Sequence, residues 1–364
     1  MSDTDVSLVR EDPAAGMVAV VREYYRRARW KCWAIVLLSI IAVAAFLITI
    51  VVGPVDITLP QLMRALINPA TVDAQTRMVL WQLRIPSSVM AVLIGVCLSL
   101  AGAHMQTFLA TPLAEPFTLG ISAAAAYGAA ASIVLGWTII PNAQFNVAVC
   151  AAVASLIAVA IVAGVSRRRE DGRESMILLG IALVFGFHAL LALLQYRATP
   201  EALQQIVFWT MGSLQRATWT SNAIIAAVLA IAIPITMKHS GQLTALRLGD
   251  ERAAAMGVNV PRLRLQILIL ASLLAAVTVA FAGVIGFIGL VGPHVARILV
   301  GEEQRFFAPA SAATGAFLLA TAHALSITII PGVAIPIGII TALVGVPVFV
   351  SLILTRHRVF GRAS

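Results

Sequence analysis

Few residues in this chain are of types that could do chemistry, and they are scattered. Ser122 follows shortly after Gly120, and His104, His188, His294 and His323 fall within long apolar runs. A serine beside a histidine can serve as nucleophile and base, and histidines one helical turn apart can hold zinc. Neither pattern has its local signature, because the sequence contains no Gly-x-Ser-x-Gly elbow and no His-Glu-x-x-His element. Histidines in apolar helices more often hydrogen-bond between helices than ligate a metal. Cys32, Cys97 and Cys150 lie in or beside apolar runs without metal-ligand spacing, and read as small core hydrophobes.

The distribution of acid separates mechanisms more sharply. Of sixteen Asp and Glu residues, only Glu115 lies at the edge of a run long enough to cross a membrane. A transporter driven by protons or sodium, or a membrane hydrolase, normally keeps a carboxylate near the bilayer midplane, where it is costly and therefore functional. An ion-coupled secondary transporter is thus the first alternative to set aside, and a membrane enzyme the second. The chain reads as a conduit whose energy and recognition chemistry are carried mostly by other subunits.

The elements that must position such residues are membrane spans. Of the 364 residues, 60% are hydrophobic and 11% charged, and the mean hydropathy is +0.96, too apolar for a soluble domain. A spanning helix needs about 20 apolar residues, and ten candidates occur: 33–53, 87–105, 117–137, 145–165, 176–195, 221–237, 265–284, 286–300, 308–330 and 335–354. Runs of this length without period-2 alternation exclude a barrel. The fold class is therefore all-α and polytopic. A cytoplasmic tail is expected at 1–30, the transmembrane domain at 31–356 and a second tail at 357–364, with an uncleaved first helix.

The net charge of +9 points to orientation rather than to nucleic acid. With the N-terminus inside and ten alternating spans, twenty basic residues fall inside, clustered at 10–31, 167–173, 238–264, 297–305 and 356–362. Only Arg64, Arg77, Arg84, Arg197 and Arg216 remain outside. The positive-inside rule then places both termini in the cytoplasm.

Three connections carry more local information. Thr58 before Pro60, with Leu59, Leu62, Met63 and Leu66 on one face, predicts a short amphipathic helix on the outer surface. In the 238–264 loop, Gly249 and Asp250 supply a helix start, Glu251 suits its first turn, Ala253, Ala254 and Ala255 make it small-sided, and Gly257 ends it. Glycines at 283, 286, 289 and 292, followed by Pro293, permit close helix packing and invite a kink. A matching Ala101-Gly102-Ala103 stretch hints at two related halves.

These stretches together resemble the permease subunits of bacterial binding-protein-dependent ABC importers for iron(III)-siderophores, haem and vitamin B12. The resemblance runs from Leu80 to Leu354. It is carried by Trp81-Gln82-Leu83-Arg84-Ile85-Pro86, Ser99-Leu100-Ala101-Gly102-Ala103 with Gln106, Pro112-Leu113-Ala114-Glu115-Pro116, and Trp209 with Met211-Gly212-Ser213. It continues through Leu248-Gly249-Asp250-Glu251, Gly286-Phe287-Ile288-Gly289-Leu290-Val291-Gly292-Pro293-His294 with Arg297, Pro336-Ile337-Gly338, and Gly345-Val346-Pro347.

The resemblance implies the architecture of a type II ABC importer permease in the bacterial inner membrane, paired with a second permease subunit as a homodimer or heterodimer. It also implies two ATPase subunits docked inside and a substrate-binding protein docked outside. This chain has no Gly-x-x-x-x-Gly-Lys-Ser/Thr motif, so ATP and Mg belong to the ATPase, and the chain itself is no enzyme and binds no cofactor. By the same resemblance, Leu248, Gly249, Asp250, Glu251, Ala254 and Gly257 become the ATPase-coupling helix. Arg84 becomes an outside docking residue, with Arg197 and Arg216 as supports. Gly172, Arg173 and Glu174 become the cytoplasmic gate. Phe185, His188 and Gln195 are candidate pathway linings, and the intramembrane histidines are weighed as haem contacts in the conduit. The chain departs from the family in carrying Ser87, Thr321 and Leu325 where charged residues are frequent, and Thr111 where Asn is frequent.

Overall fold

The computed structural model describes residues 13–53, 59–68, 72–166, 172–330 and 332–360, and among these every regular element is helical. The first helix, α1 (Pro13–Val51), runs unbroken across the expected boundary at residues 30–31. The short helix α2 (Leu59–Ile67) follows. Leu62 and Ala65 form its buried face, whereas Met63 turns outward. The proposed cap Thr58 lies outside the described residues.

The next span is one helical run from Ala74 to Phe108, composed of α3 (Ala74–Met78), a π segment (Val79–Arg84) and α4 (Ile85–Phe108). Pro86 accounts for the π turn. It has no N–H, and its ring would clash with the carbonyl four residues back. A wider turn, in which Ile85 N–H reaches Leu80 O, lets the helix continue.

A 3-10 turn (Pro116–Leu119) then leads into α5 (Ile121–Leu135), followed by α6 (Ala143–Ser166), α7 (Gly172–Arg197) and α8 (Pro200–Thr210). The chain continues through α9 (Trp219–Leu246), α10 (Asp250–Ala255), α11 (Val260–Ala282), α12 (Ile288–Val300), α13 (Gln304–Thr328) and α14 (Ile337–Phe360). Seven described helices are long and apolar enough to cross a membrane, and three shorter apolar helices accompany them, at Ile121–Leu135, Ile288–Val300 and Ile337–Ser351. Each expected span thus has its helix, in order. The third and eighth are shorter than expected. At about 1.5 Å per residue, α5 is about 22 Å long and α12 about 20 Å, less than a hydrocarbon core.

The break before α12 does not fall where the Gly-Pro pair pointed. Pro293 sits inside the helix, and the chain leaves helical geometry from Gly283, at φ 77°, to Phe287, at φ 67°. The carbonyl that Pro293 leaves without its helical partner is that of Gly289. It receives Gln106 Nε2 from α4 at 3.4 Å.

α4 forms the axis of the bundle. A side chain at Gly95 would overlap the backbone of Gly315 on α13, and one at Gly102 would overlap Gly289 on α12. Between them Ser99 packs on Gly292 and Gly315 and donates to Ser311 O at 2.6 Å. The two small-residue stretches noted in the sequence are therefore packing partners. In lipid, helices associate through close packing and interhelical hydrogen bonds rather than through apolar burial. His104 Nε2 meets Thr236 Oγ1 at 2.9 Å, and Asn222 Nδ2 donates to Pro86 O at 2.9 Å, joining α4 to α9 in the same way.

Candidate functional site

The α9–α11 connection is a built structure. Arg247 closes α9, Gly249 adopts φ 104°, and α10 begins at Asp250. Its exit is fully satisfied: Gly257, at φ 84°, donates to Ala254 O at 2.9 Å, while Val258 N donates to Ala253 O at 3.0 Å. This is the Schellman arrangement, with Gly257 in the left-handed position that glycine adopts without steric cost. Asn259 then caps α11, accepting from Arg262 N at 3.1 Å. Ala253 is fully buried against the bundle. Glu251, Ala254, Ala255 and Gly257 are exposed, and so are the large apolar side chains of Leu248 (53%) and Met256 (64%). Asp250 does not point away; Arg264 holds both its oxygens, at 2.7 and 2.6 Å.

A polar chain joins this loop to the packed interior. The Glu302 carboxylate, in the α12–α13 turn, takes Arg247 from the base of the loop and Arg297 Nε from α12 at 3.2 Å. Arg297 donates to Gln106 Oε1 at 2.8 Å, and Gln106 reaches back to the start of α12. Gln304 ties α13 to both neighbours, with its Nε2 on Thr107 at 2.9 Å and its backbone N on Thr244 at 3.1 Å. Partial burial lowers the Arg247 guanidinium from its ordinary value, and Glu302 opposes that shift. Glu302 was not among the residues expected from the sequence. Its position, between Arg297 and the start of α13, is the only sequence signal for it.

At the other end of the bundle, Arg84 lies inside rather than on the surface. Only 6% of the residue is exposed. Its guanidinium donates to Ile50 O at 3.3 Å and Val51 O at 3.0 Å, capping the end of α1. The terminal carbonyls of a helix carry partial negative charge, so a cation settles there. Ser87, one of the departures from the family pattern, donates to Arg84 O at 3.0 Å. Arg84, Ser87 and His323 line one cavity of about 270 Å³. Arg197 is exposed at the end of α7. Arg216 is partly buried, its guanidinium lowered from its ordinary value by that burial. It lines a larger cavity, of about 480 Å³, with Gln204, Gln205, Phe208, Trp209 and Phe281.

Gly172 opens α7 and Glu174 is exposed in its first turn, while residues 167–171 lie outside the described residues. On the same helix Phe185 is 72% exposed, His188 is exposed and Gln195 half-buried. Glu115, the acid at the edge of a span, is half-buried beside Gly289, with its carboxylate on the backbone N–H of Phe287. The bundle therefore does hold one acid within reach of its broken helix, in a helix-terminus contact.

Comparison with known proteins places this geometry. A family model described as the FecCD transport family matches residues 40–355. The hemin transport system permease protein HmuU of Yersinia pestis is 36% identical over 295 residues, covering 81% of this chain and 88% of its own. The Fe(3+)-citrate import system permease protein YfmE of Bacillus subtilis (strain 168) is 33% identical over 329 residues, covering 90% and 96%. A solved structure described as an inward-facing conformation of a metal-chelate type ABC transporter superposes with TM-score 0.78 at 28% identity, covering 88% of this chain and 98% of that one.

Proposed function

Because the chain belongs to the FecCD transport family, and is on that ground a permease subunit of an ABC importer, we propose that it carries an iron(III)-siderophore or related metal chelate into the cytoplasm. A separate ATPase supplies the energy. The observation that carries the reading is the capped α10, an ordered helix presenting Leu248, Ala254 and Met256 outward from a loop tied by Glu302 to α12. Small and apolar exposed side chains on a rigid loop suit a cleft in another protein. α10 is then the cytoplasmic coupling helix, which puts both termini inside and the α8 end outside, in agreement with the excess of basic residues.

On the outer face, Arg197 and Arg216 carry the docking role more readily than the buried Arg84, meeting acidic residues of a substrate-binding protein. The exposed face of α7, with Phe185 and His188, lies against a second permease subunit and the pathway between them. Glu174 with Gly172 and Arg173 forms the entry to the gate. The metal-chelate class is supported by relatives named for hemin and Fe(3+)-citrate import. Mass spectrometry of the chelate that copurifies with the cognate binding protein tests it. An iron chelate is expected; a metal-free sugar or peptide would overturn the cargo class.

A further inference from the structure

α1 extends beyond what a span requires. From Val21 to Val51 alone the helix has 31 residues, about 46 Å against a hydrocarbon core of about 30 Å. Its first part lies outside the region matched by the family, which begins at residue 40. Between Arg22 and Lys31 the sequence places five basic residues and one acid, with Tyr24, Tyr25 and Trp30 among them.

The charges have a direction. Ala28, Ala34, Ile35 and Leu38 pack on the cluster around Phe306 and Phe307 of α13, and Lys31 meets Glu303 at 3.2 Å. Arg22, Arg26, Arg29 and Trp33, spaced by four, three and four, lie on the opposite face, and all are exposed. The same face continues as Val36, Leu37, Ile40, Val43 and Leu47, each about half exposed and apolar. One strip of α1 is thus exposed and apolar along the span and cationic beyond it. Lys31 marks the level of the inner end of α13. Arg29, Arg26 and Arg22 follow at about 3, 7 and 13 Å below it, the depth of the headgroup layer and of the first screening length beyond it.

We propose that this strip binds anionic phospholipid headgroups of the cytoplasmic leaflet. It would do so as a juxtamembrane anchor, with Trp33 at the boundary and Arg22, Arg26 and Arg29 on the phosphates. Glu23 pairs with Arg26 at 2.6 Å and Arg27 at 2.8 Å, and those arginines remain 79% and 74% exposed. The strip therefore keeps an excess of positive charge toward the bilayer. Each basic residue near an anionic surface adds a factor of about five in affinity.

The inference rests on the cytoplasmic placement of the N-terminus. Cys32 is exposed whereas Cys97 and Cys150 are buried, so a membrane-impermeant maleimide reports the side independently. The test is native mass spectrometry of the purified permease–ATPase complex, titrated with phosphatidylglycerol, cardiolipin and phosphatidylcholine. The wild type should retain the two anionic lipids preferentially. Arg22→Gln, Arg26→Gln and Arg29→Gln together should cut that retention by on the order of tenfold or more, with phosphatidylcholine unchanged. The three lysine substitutions should restore it. Unchanged anionic retention in the glutamine variant would overturn the anchor. So would displacement of the lipid by inorganic phosphate, or loss of the ATPase in place of lipid. Labelling of Cys32 from the α8 side would instead overturn the orientation on which both readings stand.

Discussion

α4 and α7 are both long apolar helices, yet 78% of the most apolar window of the Ala74–Phe108 run is buried, against 17% for Glu174–Arg197. Hydropathy runs the other way. In water the more apolar helix would be the core. In lipid burial brings no such gain, so the helix with small and hydrogen-bonding residues becomes the axis and the greasier one is left outside. Gly95, Ser99, Gly102 and Gln106 mark the first kind; Leu178, Phe185, Leu193 and Tyr196 mark the second. The division extends to the connections: Arg84 is buried in the scaffold, α10 and Arg197 carry exposed side chains, and Glu302 joins the base of the α10 loop to α12.

If that division is right, scaffold substitutions should cost the fold and uncovered ones should cost a partner. The largest effect is expected for Gly102→Leu, whose side chain would overlap the Gly289 carbonyl. Overpacking of about 3 kcal/mol or more should abolish monodisperse protein in detergent. Gly186→Leu on α7 meets nothing within 4 Å and should leave thermal stability unchanged or slightly raised, while weakening pairing of permease subunits by crosslinking. Equal loss of folded protein in both variants would erase the distinction.

Arg84→Glu should follow, at about 3 kcal/mol, because it places an uncompensated acid against the α1 carbonyls. The readout is a lowered unfolding temperature. A fully stable protein that merely loses its binding protein would return Arg84 to the docking surface.

Ala254→Arg should leave the permease folded, since Ala254 is exposed, and should remove the ATPase on copurification. Gly257→Val meets no steric obstacle but must hold φ 84°, which costs about 1–2 kcal/mol for a residue with a Cβ. Docking should persist in this variant, with transport-coupled ATP hydrolysis reduced.

A smaller effect is expected for Glu302→Gln, which keeps the shape of the junction and removes the charge shared by Arg247 and Arg297. ATPase binding should stay intact while cargo moved per ATP falls several-fold. An unchanged ratio would make the cluster a static brace. The smallest is Arg197→Glu, with a few-fold, salt-dependent loss of on-rate for the binding protein; no change at low salt would remove it from that surface.

The sequence made the ten spans legible, because length and hydropathy suffice for a helix in lipid. It also marked both ends of α10, since Gly249 and Gly257 are needed for positive φ. The break before α12 was misplaced because Gln106, distant in sequence, satisfies the carbonyl that Pro293 frees. Arg84 was misread for a related reason. Its place between two spans suggested an exposed cation, but the α1 terminus that folds over it lies more than thirty residues away. Glu302 escaped notice because an acid in a short turn has no signature until two arginines from separate helices converge on it.

The most direct test of the central claim, that energy enters through α10 from a separate ATPase, is uptake of the labelled chelate into proteoliposomes. These would hold the permease, its ATPase and ATP inside, with the loaded binding protein outside and a protonophore collapsing the gradient. Uptake should persist, and should disappear in the Ala254→Arg variant. Uptake that stopped with the gradient while ATP remained would contradict the account and turn attention to Glu115, the acid beside the start of α12.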